Sequence, residues 1–299
     1  MAPSELTGIL VALVTPFTDD GEKIDHGRLQ AHVDRLINAG VHGLVPGGTT
    51  GEFTAMDLSE RKELVELCVK FADNRVPVVA GIGHTRTRDV VDLATHAAKA
   101  GAAATMIVPP FYDPVSYKQL RELFSEVSEA SKLPIMFYNI PSASGLSLSP
   151  QEIAGLSEVG CTHLKDTSGN APAFTELLFG QYDKITTFNG WDTLTFYGLA
   201  AGAKGSVWGA TNIIPELSVQ LWDALAVRGN LQEGRELWKK IWPICAFLES
   251  HNYPSACKTG MVLQGHESGP LRKPFALLEG EPRAELAKLL KNAGLKTIE

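Results

Sequence analysis

A lysine in the middle of the chain has the surroundings that imine chemistry requires. Lys165 ends an apolar run at residues 162–166, so an amine that faces inward at this point is removed from solvent. Burial favours the neutral form of an amine, and a neutral amine is the nucleophile that attacks a carbonyl to form a Schiff base. The sequence therefore offers Lys165 as a nucleophile. The alternative is a structural lysine that pairs with Asp166.

A glycine-rich turn could bind an anionic group near such a nucleophile. Residues 46–52 read PGGTTGE and place the hydroxyls of Thr49 and Thr50 among flexible backbone N–H groups. Hydroxyls and backbone N–H groups in a tight turn suit a carboxylate. The segment lacks the Gly-Lys-Ser/Thr ending of a nucleotide-binding P-loop. It is either a carboxylate site or a plain turn.

Two tyrosines follow other apolar runs. Tyr138 begins the segment YNIP and could transfer protons through its phenol. Tyr112 follows the run at residues 104–108. Tyrosines at the ends of strands are more often structural, so position alone leaves a packing role open for both and favours it for Tyr112.

Eight short apolar, β-branched runs alternate with longer amphipathic stretches and would position these residues. Their starts lie about 28 residues apart, which fits repeated strand–loop–helix–loop units. The runs are residues 9–14, 43–46, 77–80, 104–108, 134–138, 162–166, 185–189 and 204–208. Eight such units predict an α/β fold of the (β/α)8 TIM-barrel type, with a doubly wound parallel sheet as the alternative. Active sites of these barrels lie in the loops that follow the strands, where the lysine, the turn and the tyrosines all lie.

The stretches between the runs carry helical periodicity, and so does the last part of the chain. Apolar residues recur at three- and four-residue steps in segments that include residues 58–71, 90–100 and 120–130. Beyond the eighth run the periodicity becomes mainly helical. We therefore expect a barrel over residues 1–212 and a helical region over residues 213–299 packed on it.

Composition excludes several classes of protein. With 44% hydrophobic and 20% charged residues, the chain is typical of globular proteins. Its apolar runs are far shorter than the ~20 residues of a membrane-spanning helix, so no membrane partner is expected. A net charge of −7 gives no basic surplus for nucleic acid. The N-terminus lacks the basic region of a signal peptide, which favours the cytoplasm. The four cysteines and eight histidines show no metal-ligand spacing.

Four motifs together resemble the dihydrodipicolinate synthase / N-acetylneuraminate lyase family. They are GTTGE at 48–52, YNIP at 138–141, LKDTSG at 164–169 and RKPF at 272–275. Their order and spacing over about residues 8–280 make the match specific. The family consists of (β/α)8-barrel class I aldolases and hydro-lyases that attach pyruvate or another 2-oxo acid to a lysine. The resemblance implies the same chemistry here, without a metal or organic cofactor.

The resemblance also assigns roles to residues. It implies that Lys165 is the Schiff-base lysine and that Tyr138 is the acid–base phenol beside it. Thr49 and Thr50 look like the pair that binds the 2-oxo carboxylate. Thr49 would also link Tyr138 to Tyr112, which matches a tyrosine that reaches in from a neighbouring subunit in dihydrodipicolinate synthases. The remaining substrate-binding positions implied by the resemblance are Gly48, Thr167, Gly190, Asp192, Val207 and Ala143.

Departures from the family's motifs bear on the substrate. Dihydrodipicolinate synthases carry a carboxylate-binding arginine where this chain has Ala143, and a methyl group cannot replace a guanidinium. The segment YNIPSASG at 138–145 looks more like the sialic acid lyases, and so does Asp192, which could bind a polyol hydroxyl. Thr193 and Gly209 stand where those lyases have a glutamate and a serine. These changes predict a tail that is smaller or less hydroxylated than that of a sialic acid.

We therefore predict a Schiff-base-forming lyase of the sialic acid lyase-like branch. It would release pyruvate from a 2-keto-3-deoxy sugar acid or a related 4-hydroxy-2-oxo acid. The alternatives are dehydration of a 2-keto-3-deoxy sugar acid, synthesis of 4-hydroxy-tetrahydrodipicolinate with Arg86 in place of the missing arginine, and a 2-oxo-acid binding module without turnover. The resemblance also implies a homotetramer built from two dimers, in which Tyr112 crosses an interface.

Overall fold

Eight parallel strands form a barrel in the computed structural model, which describes residues 6–298. The strands are β1 Gly8–Ala12, β2 Gly43–Val45, β3 Val79–Gly81, β4 Ala104–Ile107, β5 Ile135–Asn139, β6 Cys161–Asp166, β7 Thr186–Asn189 and β8 Gly205–Trp208. Their order in the sheet is β2-β1-β8-β7-β6-β5-β4-β3. A parallel bridge between Leu44 and Val78 joins the two ends of this sheet. The predicted (β/α)8 barrel is confirmed, and each predicted run overlaps one strand.

Helices alternate with the strands and continue beyond the last of them. They are α1 His26–Asn38, α2 Leu58–Ala72, α3 Thr87–Ala100, α4 Tyr117–Ser131, α5 Pro141–Ser144, α6 Pro150–Gly155, α7 Ala171–Gly180, α8 Thr195–Ala200, α9 Pro215–Trp222, α10 Leu231–Ser250, α11 Tyr253–Leu263 and α12 Gly280–Asn292. The predicted helical character of the last part of the chain is confirmed.

Two of the three predicted helices differ from the observed ones at their first turns. α2 begins where it was predicted, because Asp57 and Glu60 form a capping box at its start. α3 and α4 each begin three residues before the predicted start. Their first turns, residues 87–89 and 117–119, contain no aliphatic side chain, so apolar periodicity becomes visible only in the second turn.

Alternate strand residues fill the interior of the barrel. Leu10, Met106, Met136, Phe188 and Val207 are buried and belong to one hydrophobic cluster. Successive residues of a strand point to opposite faces, so the residues between them pack against the surrounding helices. The interior below the mouth is therefore a packed apolar floor.

The helices after β8 share a core with the barrel. Ile241 and Ile244 of α10 and Leu286 of α12 lie in one buried cluster with Ile9 of β1 and Trp208 of β8. This packing brings the ends of α10 and α11 towards the mouth of the barrel. The division of the chain at residue 212 stays a prediction.

The described residues contain neither a membrane-spanning helix nor a cluster of metal ligands. Between residues 6 and 298, no helix combines the length and the apolar character needed to cross a bilayer. In the same part of the chain, no three His, Cys, Asp or Glu side chains converge as ligands of a metal ion. All four cysteines are buried thiols, and burial raises the pKa of each.

Candidate active site

The mouth of the barrel holds a cavity of about 330 Å³ at the carboxyl ends of the strands. Eight of the predicted site residues line this cavity, namely Thr49, Thr50, Tyr138, Lys165, Thr167, Gly190, Asp192 and Val207. They come from five strands or the loops that follow them. The fold therefore brings together residues that lie up to 158 positions apart in the chain.

Lys165 and Tyr138 form the centre of the site. They are partners in the register between β6 and β5, so their side chains leave the sheet on the same face. The Lys165 Nζ lies 3.9 Å from the centroid of the Tyr138 ring. Both side chains are 5% exposed. The amine and the phenol predicted to act together are thus neighbours on adjacent strands.

The surroundings of Lys165 leave its amine facing the cavity. Asp166, the next residue of β6, accepts hydrogen bonds from Asn139 Nδ2 at 2.6 Å and from Ser168 Oγ at 3.0 Å. Burial raises the pKa of Asp166, and these hydrogen bonds oppose the rise. Because adjacent strand residues point to opposite faces, Asp166 is held away from the amine of Lys165. The structure does not show the structural Lys165–Asp166 pair offered as the alternative.

Gly190 gives the lysine the room it needs. A Cβ at residue 190 would lie 2.7 Å from Cγ and 2.9 Å from Cε of Lys165. Contacts this short do not occur, so a larger residue would push the lysine out of place. Gly190 thus acts by having no side chain, while its N–H donates to the Asp166 carbonyl at 2.8 Å.

The predicted carboxylate-binding turn lies beside the lysine. Residues Thr49–Gly51 form one turn of 3-10 helix, and the carbonyl of Gly51 accepts a hydrogen bond from Thr15 Oγ1 at 2.8 Å. Thr50 is buried and Thr49 is exposed, and both line the cavity. Gly48 is buried at the start of the turn and lies outside the lining.

The far end of the cavity presents two carboxyl groups. Asp192 Oδ2 accepts a hydrogen bond from the Tyr253 hydroxyl at 2.5 Å. Glu249 accepts from the Thr193 N–H at 2.9 Å and from the Thr193 hydroxyl at 3.0 Å. Burial raises the pKa of Asp192 to about 7, against the effect of the Tyr253 hydrogen bond, and the negative charge of Glu249 adds to the rise. Burial also raises the pKa of Glu249. This end can accept hydrogen bonds, and it disfavours a further negative charge.

Glu249 and Tyr253 also line the cavity and were not predicted from the sequence. They lie at the end of α10 and the start of α11, where the sequence carries helical periodicity and no motif. One signal was available at Gly209. A Cβ at residue 209 would lie 2.6 Å from the Tyr253 hydroxyl oxygen. The absence of a side chain at Gly209 makes room for the tyrosine ring.

Three other residues singled out from the sequence lie outside the lining of the cavity. Tyr112 is 95% exposed, with a left-handed backbone at φ 80°. Ala143 is exposed on α5, and its neighbour Ser142 lines the cavity instead. Arg86 lies outside the lining and its guanidinium pairs with Asp89, so within this chain it does not take the place of the missing arginine. Within the described residues, the lining of this cavity contains no arginine.

Comparison with known proteins bears on both the family and the substrate. Residues 5–293 match the Dihydrodipicolinate synthetase family. The chain is 34% identical over 294 residues to a 4-hydroxy-tetrahydrodipicolinate synthase of Methanopyrus kandleri, covering 97% of each chain. It is 35% identical over 285 residues to the enzyme of the same name from Methanothrix thermoacetophila, covering 95% of each.

A solved structure of a dihydrodipicolinate synthase has the same fold as this chain. The chloride-inhibited dihydrodipicolinate synthase of Acinetobacter baumannii, complexed with pyruvate, superposes with a TM-score of 0.93 at 28% identity, over 98% of this chain and 100% of that one. These relatives carry the name of a synthase, so the expected placement in the sialic acid lyase-like branch is not supported.

Proposed function

Because this chain belongs to the dihydrodipicolinate synthetase family, whose members are class I aldolases and lyases, we propose that it makes or breaks a carbon–carbon bond of a 2-oxo acid held covalently on Lys165. One observation carries the proposal. The buried amine of Lys165 lies 3.9 Å from the ring centroid of Tyr138 in a cavity that also contains Thr49 and Thr50. Nucleophile, proton carrier and carboxylate site are thus within reach of one small ligand.

The proposed steps follow from these positions. The neutral Lys165 amine adds to the carbonyl carbon of pyruvate, and loss of water gives a protonated imine. The imine withdraws electrons from the methyl carbon, which loses a proton and becomes the carbon of an enamine. Tyr138 would carry protons to and from the bound ligand. The enamine carbon then attacks an aldehyde, and hydrolysis of the new imine releases the product and restores the amine.

The first candidate for the aldehyde is aspartate semialdehyde. The relatives named 4-hydroxy-tetrahydrodipicolinate synthase support this condensation, which was an alternative in the sequence analysis, better than they support the release of pyruvate from a sugar acid. The carboxylate of aspartate semialdehyde would need a donor other than residue 143, since alanine cannot bind it.

A second candidate is favoured by the far end of the cavity. Asp192 and Glu249 accept hydrogen bonds and carry or share negative charge, which suits the hydroxyl groups of a sugar-acid tail better than it suits a carboxylate. The chemical step is the reverse of the condensation: the carbon–carbon bond is broken and not formed. The enzyme would then release pyruvate from a hydroxylated 2-oxo acid, and dehydration could start from the same imine.

Borohydride trapping tests the shared step. Wild-type protein treated with pyruvate and borohydride should gain the mass of one reduced pyruvate, located at Lys165 by peptide mapping. Lys165→Met should gain none. Lys240→Met, which replaces an exposed lysine of α10, should be labelled like the wild type. Labelling of Lys165→Met, or no labelling of the wild type, would rule out the proposal.

A competition assay separates the two candidates. Wild-type enzyme that has not been treated with borohydride is offered pyruvate with either aspartate semialdehyde or glyceraldehyde, and kcat/KM is measured for each aldehyde. A preference for aspartate semialdehyde supports the synthase. A preference for glyceraldehyde, together with release of pyruvate from the matching 2-keto-3-deoxy acid, supports the lyase.

We also propose that the active form is a homotetramer, as the family resemblance implies. The exposure of Tyr112 supports a role for this residue outside its own chain. Sedimentation analysis alongside activity measurements tests this. A fully active monomer would contradict the interface role of Tyr112.

A further inference from the structure

A buried ion pair links the carboxylate-binding turn to the C-terminal helices. Lys258, on α11, places its Nζ 2.6 Å from Oε1 of Glu52. The two side chains are 0% and 2% exposed. Glu52 directly follows the turn that carries Thr49 and Thr50. Two charges more than 200 residues apart in the chain therefore meet below the rim of the proposed substrate site.

Both members of the pair are fixed by further contacts. The Lys258 Nζ also donates to the carbonyl of Pro270 at 2.8 Å and lies 4.4 Å from the centroid of the Phe17 ring. The second carboxylate oxygen of Glu52 accepts from the backbone N–H of Arg272 at 2.9 Å. With both oxygens and the ammonium engaged, the Glu52 side chain has one defined position.

The position of Glu52 sets the conformation of the turn. Its backbone is left-handed at φ 58°, a conformation that residues other than glycine rarely adopt. Its N–H donates to the carbonyl of Thr49 at 3.1 Å, which closes the turn. The contacts of the Glu52 side chain hold its strained backbone in place. Because that backbone closes the turn, the same contacts also hold Thr49 and Thr50.

Stability alone does not account for the pair. A buried ion pair loses hydration on both sides, and well-packed apolar residues of similar size often stabilise a fold equally well. Burial lowers the pKa of Lys258 to about 8, and the charge of Glu52 opposes this. A buried pair does specify one geometry, because neither charge can move away from the other without being left unpaired.

We propose that Lys258, through Glu52, is a positioning residue for substrate: it holds the turn at residues 48–52 in the conformation that binds the carboxylate of the 2-oxo acid. The C-terminal helical region then contributes to binding without touching the ligand, since Lys258 lies outside the lining of the cavity. This inference rests on the proposed function in taking that turn as the carboxylate site.

The test uses a variant in which both charges are removed. Lys258→Met alone leaves Glu52 buried and unpaired and risks misfolding, so Lys258→Met/Glu52→Gln is the main variant. Arg121→Met is the matched control, because it removes an ion pair with Glu158 and a hydrogen bond to the Gly155 carbonyl on the outside of the barrel. Circular dichroism and thermal unfolding establish that each variant is folded.

Two measurements follow. The pyruvate concentration that gives half-maximal borohydride trapping should rise at least tenfold in the double variant, with trapping at saturation unchanged, and should stay at the wild-type value in Arg121→Met. Hydrogen exchange of the amides at residues 48–53 should become faster in the double variant and not in the control. This second measurement needs no ligand.

The outcomes separate the inference from its premise. Absence of trapping in the wild type would refute the proposed function. Unchanged exchange at residues 48–53 in the folded double variant would overturn the positioning role whatever the wild type does. Faster exchange with an unchanged half-maximal pyruvate concentration would also overturn it, because the turn would then not govern carboxylate binding.

Discussion

Removal of a single hydroxyl at the far end of the cavity is expected to change the titration of Asp192. The Tyr253 hydroxyl donates to Asp192 Oδ2 at 2.5 Å, and Asp192 is 5% exposed. Burial raises the pKa of Asp192 to about 7, and this hydrogen bond opposes the rise. Tyr253→Phe retains the ring that packs against Gly209 and deletes only the donor.

The size of the effect follows from the strength of the bond in each protonation state. A hydrogen bond contributes about 1.5–3 kcal/mol when it reaches a charged group and about 0.5–1.5 kcal/mol when both groups are neutral. The difference is roughly 1–1.5 kcal/mol, and 1.36 kcal/mol corresponds to one pKa unit. Tyr253→Phe should therefore raise the pKa of Asp192 by about one unit, to roughly 8.

Stability should change with pH in a defined direction. A carboxyl group whose folded pKa is raised stabilises the fold below its unfolded pKa, and this stabilisation is lost as the pH rises through the folded pKa. In the wild type the loss spans the interval from the unfolded value of 3.8 to about 7. In Tyr253→Phe it continues to roughly pH 8, so the variant should be destabilised by about 1 kcal/mol more at pH 9 than at pH 5.

Two assays check this prediction. Infrared titration of the buried carboxyl, identified by its absence in Asp192→Asn, gives the pKa directly in the wild type and in Tyr253→Phe. Thermal unfolding at pH 5 and pH 9 gives the difference in stability, with Tyr182→Phe as the control because Tyr182 is 74% exposed. An equal loss of stability at both pH values, with an unmoved infrared titration, would refute the reasoning.

Two further predictions concern buried residues. Gly209→Ala should destabilise the protein by about 1–3 kcal/mol, because the new methyl group would lie 2.6 Å from the Tyr253 hydroxyl oxygen and displace the ring. Gly180→Ala is the control, since its Cβ would lie 3.6 Å from Glu176 Cγ, and equal melting temperatures for the two variants would contradict the prediction. His32 Nε2 donates to Asn212 Oδ1 at 2.9 Å, and burial, with the charge of Arg35, lowers the pKa of His32 to about 3. Stabilisation by the neutral ring is present above pH 6.5 and is lost as the pH falls towards 3, so His32→Gln should lose less stability than the wild type in urea unfolding between pH 7 and pH 4. Parallel curves would show that His32 has no such role.

The barrel could be predicted because its signal is local. Each strand is a short apolar run, and a parallel strand buried on both faces needs nothing else to be recognised. Lys165 and Tyr138 could be singled out for a related reason. Both lie at strand ends, and in a barrel all strand ends of one kind meet at one mouth.

Glu249 and Tyr253, at the far end of the cavity, could not be predicted from local patterns. Glu249 and Tyr253 meet Thr193 and Asp192 across 56 and 61 residues, through the packing of α10 and α11 on the barrel. Helical periodicity indicates which face of a helix is buried. It does not indicate which residue at the end of the helix contacts a distant loop. The close approach of Tyr253 to Gly209 could not be predicted for the same reason, because the ring that fills this space comes from α11.

The left-handed backbone at Tyr112 has a consequence for protein engineering. A residue with a Cβ costs roughly 1–2 kcal/mol in this conformation compared with glycine, and the ring of Tyr112 is exposed in the single chain. Automated thermostabilisation that scores one isolated chain would therefore choose Tyr112 among its first replacements. Replacing a residue that has both a left-handed backbone and an exposed ring can raise the melting temperature and lower the activity.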